Sequence, residues 1–286
     1  MSSARERFRS LLVRPGCTIA ANIFDPLSAR IAHLLDYEVC FLSGSVGKAA
    51  SLGVPDIVLY NMSDLVDHCR RITRMADVSL MLDGEDGFGN VVNVARTVRE
   101  LEAAGVSAIE IEDQIAPVQF NGPDRGLLAT AEQCGKLEAA VAARADPTTV
   151  IVARTAALAY CALDEALERI KAYAQTGAEV IRLVGLHTRA QLAAVHQATT
   201  LPLTTLSPPA DLRNDTAFLA AHGVKILMLG NPAFGVAVKA VYDCLKHLKD
   251  GGAIEDLADQ QASTSLLRLV DRTEELVQWQ QRFQRL

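Results

Sequence analysis

The stretch Val78-Ser79-Leu80-Met81-Leu82-Asp83-Gly84-Glu85-Asp86-Gly87-Phe88-Gly89-Asn90 decides how the chain folds. Its first five residues are too apolar to have one face in water, so they read as a strand buried on both faces. The acidic, glycine-rich turn that follows cannot continue that strand. From Val91 the period changes, with Val91, Val94, Ala95, Val98 and Leu101 at helical spacing. Gly105 then stands just before the next apolar run, where a positive φ lets a helix end and the chain turn. Strand, loop, amphipathic helix, glycine and strand make one parallel unit, because parallel neighbours require a crossover.

Working outward, the unit repeats. Apolar, β-branched runs fall at 18–23, 38–42, 78–82, 107–111, 149–153, 179–184, 203–206 and 224–229, with amphipathic stretches between them. Gly177 and Gly223 repeat the punctuation of Gly105. Eight such units in 286 residues point to a closed α/β barrel of the (β/α)8, TIM type rather than an open doubly wound sheet. The chain reads as one domain, with the barrel over 1–250 and a helical extension over 251–286. A helix at 233–249 follows the last strand, and Asp250-Gly251-Gly252 then forms a hinge. Beyond it Leu266, Leu269, Val270, Thr273, Leu276, Val277 and Gln280 fall at helical spacing. That face packs on its own barrel or on a second subunit.

Composition excludes several classes. Lys plus Arg number 28 against 34 Asp plus Glu, a net charge of −6, which argues against a nucleic-acid partner. Half the residues are hydrophobic and 22% are charged, enough to bury a large core and too apolar for native disorder. No apolar run approaches the roughly 20 residues of a membrane-spanning helix. The first residues lack the apolar core of a secretory signal, so a cytoplasmic chain with no membrane partner is expected. Cys17, Cys40, Cys69, Cys134, Cys161 and Cys244 form no CxxC pair and read as reduced thiols.

In a parallel barrel, ligands sit at the C-terminal ends of the strands. In order, the strands are followed by Asn22 and Asp25, by Ser43-Gly44-Ser45, by the acidic turn, and by Glu112 and Asp113. Then come Arg154 and Thr155, Gly185 and His187, Ser207, and finally Gly230 and Asn231. Asp83, Glu85, Asp86 and Glu112 form an acidic cluster of hard oxygen donors that suits Mg²⁺ or Mn²⁺. The simpler role for some of these acids is helix capping. The fork of Arg154 suits a carboxylate or phosphate, with an ion pair to a nearby acid as the alternative. Ser43-Gly44-Ser45 offers N–H groups and hydroxyls to the same anion. The run continues into Val46-Gly47-Lys48, but Leu42 and Ala49 break the pattern of a nucleotide-binding loop. Of the histidines, His33, His68, His196, His222 and His247 fall in helical stretches, and His187 is placed to reach the mouth.

The ordered motifs Asn22 to Arg30, Ser43-Gly44-Ser45, Pro55-Asp56, Asp83 to Asn90, Ile111-Glu112-Asp113-Gln114 and Ala153-Arg154-Thr155 resemble those of the isocitrate lyase and phosphoenolpyruvate mutase superfamily. The resemblance runs over residues 8–249. Within that superfamily the chain looks most like the bacterial oxaloacetate decarboxylase group, notably over 23–32 and 238–245. The resemblance implies a (β/α)8 barrel with an extra C-terminal helix exchanged between subunits, and a dimer of dimers. It implies that Asp83 binds Mg²⁺, with Glu85, Glu112 and Asp56 in or near its water shell. It also implies that Ser45 and Arg154, with Ser43 and Gly44, hold the carboxylates of a dicarboxylate substrate, and that Asn231 faces it.

The reaction implied is Mg²⁺-dependent decarboxylation of oxaloacetate, or a close α-keto dicarboxylate, to pyruvate and CO₂ through a metal-stabilised enolate, with Asp56 and Asn231 as catalytic positions. The chain departs from the group's pattern at Glu85, where Asp is usual, at Asn231, where His is usual, and in lacking a Tyr near Leu206 or Ser207. The alternatives are another superfamily reaction, such as phosphonopyruvate hydrolysis, phosphoenolpyruvate mutation or carbon–carbon cleavage without the usual Cys, and a barrel that binds a dicarboxylate without turning it over. The loop at 116–122 carries no cysteine, and Cys134 falls in the next helix, which argues against a cysteine-based lyase.

Overall fold

The computed structural model describes residues 3–57, 59–116 and 126–284. The loop at 117–122 that bears on the cysteine-based reaction lies outside the described residues, apart from Ala116 before it. Eight strands alternate with helices: β1 (Thr18–Ile23), β2 (Val39–Leu42), β3 (Ser79–Asp83), β4 (Ala108–Glu112), β5 (Val150–Thr155), β6 (Val180–Leu183), β7 (Leu203–Leu206) and β8 (Val224–Met228). They pair in parallel in sequence order, and β1 returns to pair with β8, so the sheet is a closed barrel. Closure, which periodicity leaves open, follows from that last pairing. β3, β4 and β5 run one or two residues beyond the apolar runs. Asp83, Glu112 and Arg154 therefore stand on hydrogen-bonded strand positions rather than in loops.

The helices are α1 (Ala4–Val13), α2 (Pro26–Leu34), α3 (Gly44–Leu52), α4 (Met62–Met75), α5 (Val91–Ala103), α6 (Thr130–Ala143) and α7 (Ala157–Tyr160). They continue with α8 (Leu163–Tyr173), α9 (Arg189–Ala198), α10 (Ala210–Arg213), α11 (Thr216–Ala221), α12 (Pro232–Lys249), α13 (Thr264–Val270) and α14 (Thr273–Phe283). Gly105, Gly177 and Gly223 have φ of 87°, 88° and 83°, the left-handed turn their positions call for. α1 is opened by a Ser3–Glu6 capping box. It buries Phe8, Leu11 and Leu12 against Val39, Met81, Val150 and Ile226 inside the barrel, which seals the end opposite the active mouth.

Alternation along the strands produces two cores. Leu80, Leu82, Ile109 and Ile111 face the helices, whereas Met81, Val152 and Val180 fill the lumen. Above that apolar plug the lumen becomes charged, with Glu110 and Arg182 paired at 0% and 1% exposure.

The C-terminal segment has the helix after β8, the glycine hinge and the helical extension that the sequence calls for. α12 buries none of its residues, and Val236, Val241, Tyr242 and Leu245 are exposed. Beside it runs an apolar groove of about 660 Å³ lined by Ile19, Leu27, Ile31, Leu35 and Val236. Gly251 takes the positive φ of a hinge. The helical extension that follows is a 3₁₀ turn (Ile254–Gln260) and two helices, α13 and α14. The break falls at Arg272, which is left-handed at φ 63°, while the N–H of Thr273 donates to Asp271 Oδ1 at 2.9 Å and starts a new helix. Among the described residues no helix is long and apolar enough to cross a membrane.

Candidate active site

The site is built from the ends of β3, β4 and β5 and the start of α3. Arg154 Nη1 donates to Asp83 Oδ2, and its Nη2 lies 2.9 Å from Glu112 Oε2, so one guanidinium bridges two buried acids. The ion-pair alternative for Arg154 is therefore present in the fold. Lys48, from the second turn of α3, is fully buried, and its Nζ lies 2.5 Å from Glu85 Oε1 and 2.6 Å from Asp56 Oδ1. Glu85 itself is left-handed, with φ 54°. A non-glycine residue there stores about 1–3 kcal/mol, held by its surroundings. Here the Glu85 N–H donates to Asp83 Oδ1 at 3.1 Å, and its carbonyl accepts from the Glu112 N–H at 2.8 Å. Gly44 makes room for this turn, because a Cβ there would run into Glu85 Oε1 and lie 3.2 Å from Asp83 Oδ2.

The other wall is neutral and polar. Ser43 places no side chain on the N–H groups that open α3; its hydroxyl lies 3.0 Å from that of Ser45 instead. Asn231 Nδ2 stands 3.5 Å from Ser45 Oγ, and Asn22 Nδ2 donates to Asn231 Oδ1 at 3.2 Å. An uncapped helix N-terminus, flanked by hydroxyls and two amides, attracts an anion through its partial positive charge.

Five carboxyl groups, Asp56, Asp83, Glu85, Glu110 and Glu112, meet three protein cations, Lys48, Arg154 and Arg182, so acids outnumber bases in a largely buried place. Burial favours protonating Asp83, but Arg154, Arg182 and Lys48 outweigh it and hold its carboxyl well below the usual range. Glu85 goes the other way: burial and the charge of Asp83 push it up to about 8 in spite of Lys48. Burial likewise raises Glu110 to about 7 against the pull of Arg182. A hard divalent cation suits such carboxyl oxygens, and on binding it would displace the proton that burial favours on Glu85. Among the described residues no three such side chains converge as a ready cage. Asp83 and Glu112 are turned to Arg154, and Glu85 to Lys48, so a cation would share these acids with protein cations.

The fold thus brings Ser43, Gly44, Ser45, Asp56, Asp83, Glu85, Glu112, Arg154 and Asn231 to one mouth. Asp86 leaves the acidic cluster: Oδ1 accepts from the Phe88 N–H and Oδ2 lies 3.1 Å from Lys136 Nζ, so it anchors α6. Asp113 accepts from Thr155 Oγ1, the Ala156 N–H and Tyr173 Oη, which makes it a brace between strands and helices. His187 is exposed, and its N–H donates to Gln191 Oε1 at 2.8 Å at the start of α9. Sequence reasoning missed Lys48, Glu110 and Arg182. The signal was there, since each is a lone charge inside an otherwise small or apolar run.

The sequence profile of the family described as phosphoenolpyruvate phosphomutase matches residues 8–249. An oxaloacetate decarboxylase of Rhodopseudomonas palustris (strain BisB18) is 43% identical over 244 residues, covering 85% of this chain and 84% of that protein. Another, from Pseudomonas savastanoi pv. phaseolicola, is 38% identical over 279 residues, covering 98% and 95%. Among solved structures, a phosphonopyruvate hydrolase in complex with oxalate and Mg²⁺ superposes with a TM-score of 0.87 at 30% identity over 99% of each chain. An oxaloacetate acetylhydrolase in complex with 3,3-difluorooxalacetate gives 0.86 at 26% identity, covering 96% and 95%. The closed barrel, the buried acids at its mouth and these matches together show that the chain is an enzyme fold of, and belongs to, the phosphoenolpyruvate mutase and isocitrate lyase superfamily.

Proposed function

We propose that the enzyme decarboxylates oxaloacetate, or a close α-keto dicarboxylate, to pyruvate and CO₂ with Mg²⁺ or Mn²⁺ as cofactor. The observation that carries this reading is the pairing, at one mouth, of an uncapped helix N-terminus and Arg154 with a buried cluster of acids that outnumber their basic partners. One part takes an anion and the other a cation. The decarboxylases that resemble the chain over most of its length support the choice of reaction.

Asp83, Glu85 and Glu112 would hold the cation, with Asp56 at the rim. When bound, the ion would supply electron withdrawal from the 2-keto group and its carboxylate. Arg154, whose Nε has no hydrogen-bond partner among the described residues, takes a substrate carboxylate with in-plane N–H donors, and Ser43, Gly44 and Ser45 take carboxylate oxygen at the start of α3. Asn231, tied to Ser45 and Asn22, orients the departing carboxylate. Breaking C3–C4 releases CO₂ and leaves the electron pair on C3, shared with the keto oxygen as an enolate. One proton must then reach C3. The Asn231 amide cannot give it at neutral pH. Asp56, half exposed at the rim beside Lys48, would relay it from solvent.

The test is pyruvate formation from oxaloacetate by the purified enzyme with Mg²⁺, corrected for the metal-only rate and repeated with EDTA. A large EDTA-sensitive excess is expected, and its absence sinks decarboxylation. Phosphonopyruvate is then the next substrate, because a helix N-terminus accepts a phosphonate as readily as a carboxylate.

The same reading makes α12 an element between subunits of a homo-oligomer, a dimer of dimers. Its exposed Val241, Tyr242 and Leu245, and the apolar groove beside it, support this. Contiguous apolar surface of that kind marks an interface. Sedimentation at micromolar concentration checks it, and a monomer would refute it.

A further inference from the structure

Lys48 has no part in the reaction steps above, yet it is the most deeply buried cation at the mouth, at 0% exposure. Taking an ammonium out of water costs several kcal/mol unless its partners repay it. α3 is otherwise built from small and apolar residues, Gly44, Val46, Gly47, Ala49 and Ala50 among them, so an apolar side chain at 48 would suit the helix. The repayment comes from two acids of the site. Nζ stands 2.5 Å from Glu85 Oε1 and 2.6 Å from Asp56 Oδ1, which spans the inner and rim carboxylates. Glu85 is held in a left-handed turn beside Asp83, so its carboxylate has little freedom to serve a second partner elsewhere.

We infer that Lys48 is a resident cation of the site that competes with the divalent ion for Glu85 and Asp56, and so sets how tightly that ion is held. The inference rests on the cation reading proposed above. It makes Lys48 a positioning and affinity-setting residue, with no contact to the reacting atoms required. An ammonium satisfies these acids with one charge and three N–H donors, whereas a divalent ion demands more oxygen ligands and gives two charges. Each oxygen kept by Lys48 is withheld from the ion, and its positive charge repels the ion as well. A loosely held ion then depends on the carboxylates of a bound substrate to complete its shell.

The experiment measures Mn²⁺ binding to the full-length chain by electron paramagnetic resonance of free Mn²⁺, in the absence of substrate. Lys48→Met, Lys48→Gln and Lys48→Arg are compared with the parent, with circular dichroism reporting folding. The two uncharged variants should bind Mn²⁺ about tenfold more tightly or better, because a repelling charge and a competing donor are gone. Lys48→Arg keeps the charge and should stay within about threefold of the parent. Glutamine keeps a hydrogen-bond donor, so it decides the matter if methionine does not fold. Folded, uncharged variants that bind Mn²⁺ no more tightly than the parent overturn the inference and leave the cation reading standing. No Mn²⁺ binding by the parent or any variant overturns both, whereas binding that appears only in the uncharged variants supports Lys48 as the competitor.

Discussion

Arg182 and Glu110 face each other inside the lumen at 1% and 0% exposure, one layer below the mouth. Arg182→Met removes the guanidinium and leaves Glu110 alone in a dry place. Breaking a buried pair from one side costs about 3–5 kcal/mol. The stacking of Arg182 on Phe41, with 4.5 Å from the guanidinium carbon to the ring centroid, adds to the loss. That contact contributes about 0.5–1 kcal/mol. The lower end of the range applies to Arg182→Met, because burial has already raised Glu110 to about 7 and it can take a proton instead of holding a bare charge. Glu110→Leu should cost more, since an arginine cannot shed its proton.

Replacing both partners, Arg182→Met with Glu110→Leu, removes every buried charge of the pair and should fall within about 1 kcal/mol of the parent. The coupling energy then exceeds about 4 kcal/mol. Urea unfolding followed by circular dichroism measures all four corners, provided the slope with denaturant stays constant. If either single change costs less than about 1 kcal/mol, or the double variant is as unstable as the worse single one, the account of this pair is wrong.

Three further outcomes are expected. Asp83→Ala should abolish EDTA-sensitive turnover while near-ultraviolet circular dichroism stays that of the parent; retained activity at saturating oxaloacetate would count against Asp83 as a ligand. Arg154→Lys keeps the charge but cannot bridge Asp83 and Glu112 or grip a carboxylate with two donors, so KM should rise about tenfold, with a smaller change in kcat. An unchanged KM contradicts the role. His68 is buried with its Nδ1 at 2.8 Å from Ser51 Oγ and 2.9 Å from Tyr60 Oη, and burial holds its imidazole below the ordinary 6.5. A depressed value means that its contribution to stability is present above 6.5 and is lost as pH falls. The melting temperature should therefore decline below that pH, and His68→Gln should flatten the decline; parallel curves for the two proteins would refute this.

The apolar runs and the glycines after each helix were legible because they are local. A strand buried on both faces must be continuously apolar, and a helix that turns into a strand needs a residue at ease with positive φ, as Gly105, Gly177 and Gly223 are. The ends of β3, β4 and β5 were less legible, because Asp83, Glu112 and Arg154 look like loop residues until pairing with the neighbouring strand is known. The helical spacing of Leu266 to Gln280 was legible in the tail, but the Asp271–Thr273 turn that restarts the helix was not, because periodicity does not record such a local choice.

By itself the sequence determined the eightfold repeat, the list of polar groups that follow the strands, and the excess of acid over base, since each depends on residue identity and spacing alone. The tertiary structure decided closure of the sheet and the partners of each charge. Asp86 turns to Lys136, Asp83 and Glu112 share Arg154, and Lys48 reaches from α3 to Glu85 across the mouth. Those pairings join residues dozens of positions apart and depend on strand register and barrel curvature. In a low-dielectric mouth they set which acids are free to hold a cation, and that is a property of distances rather than of sequence.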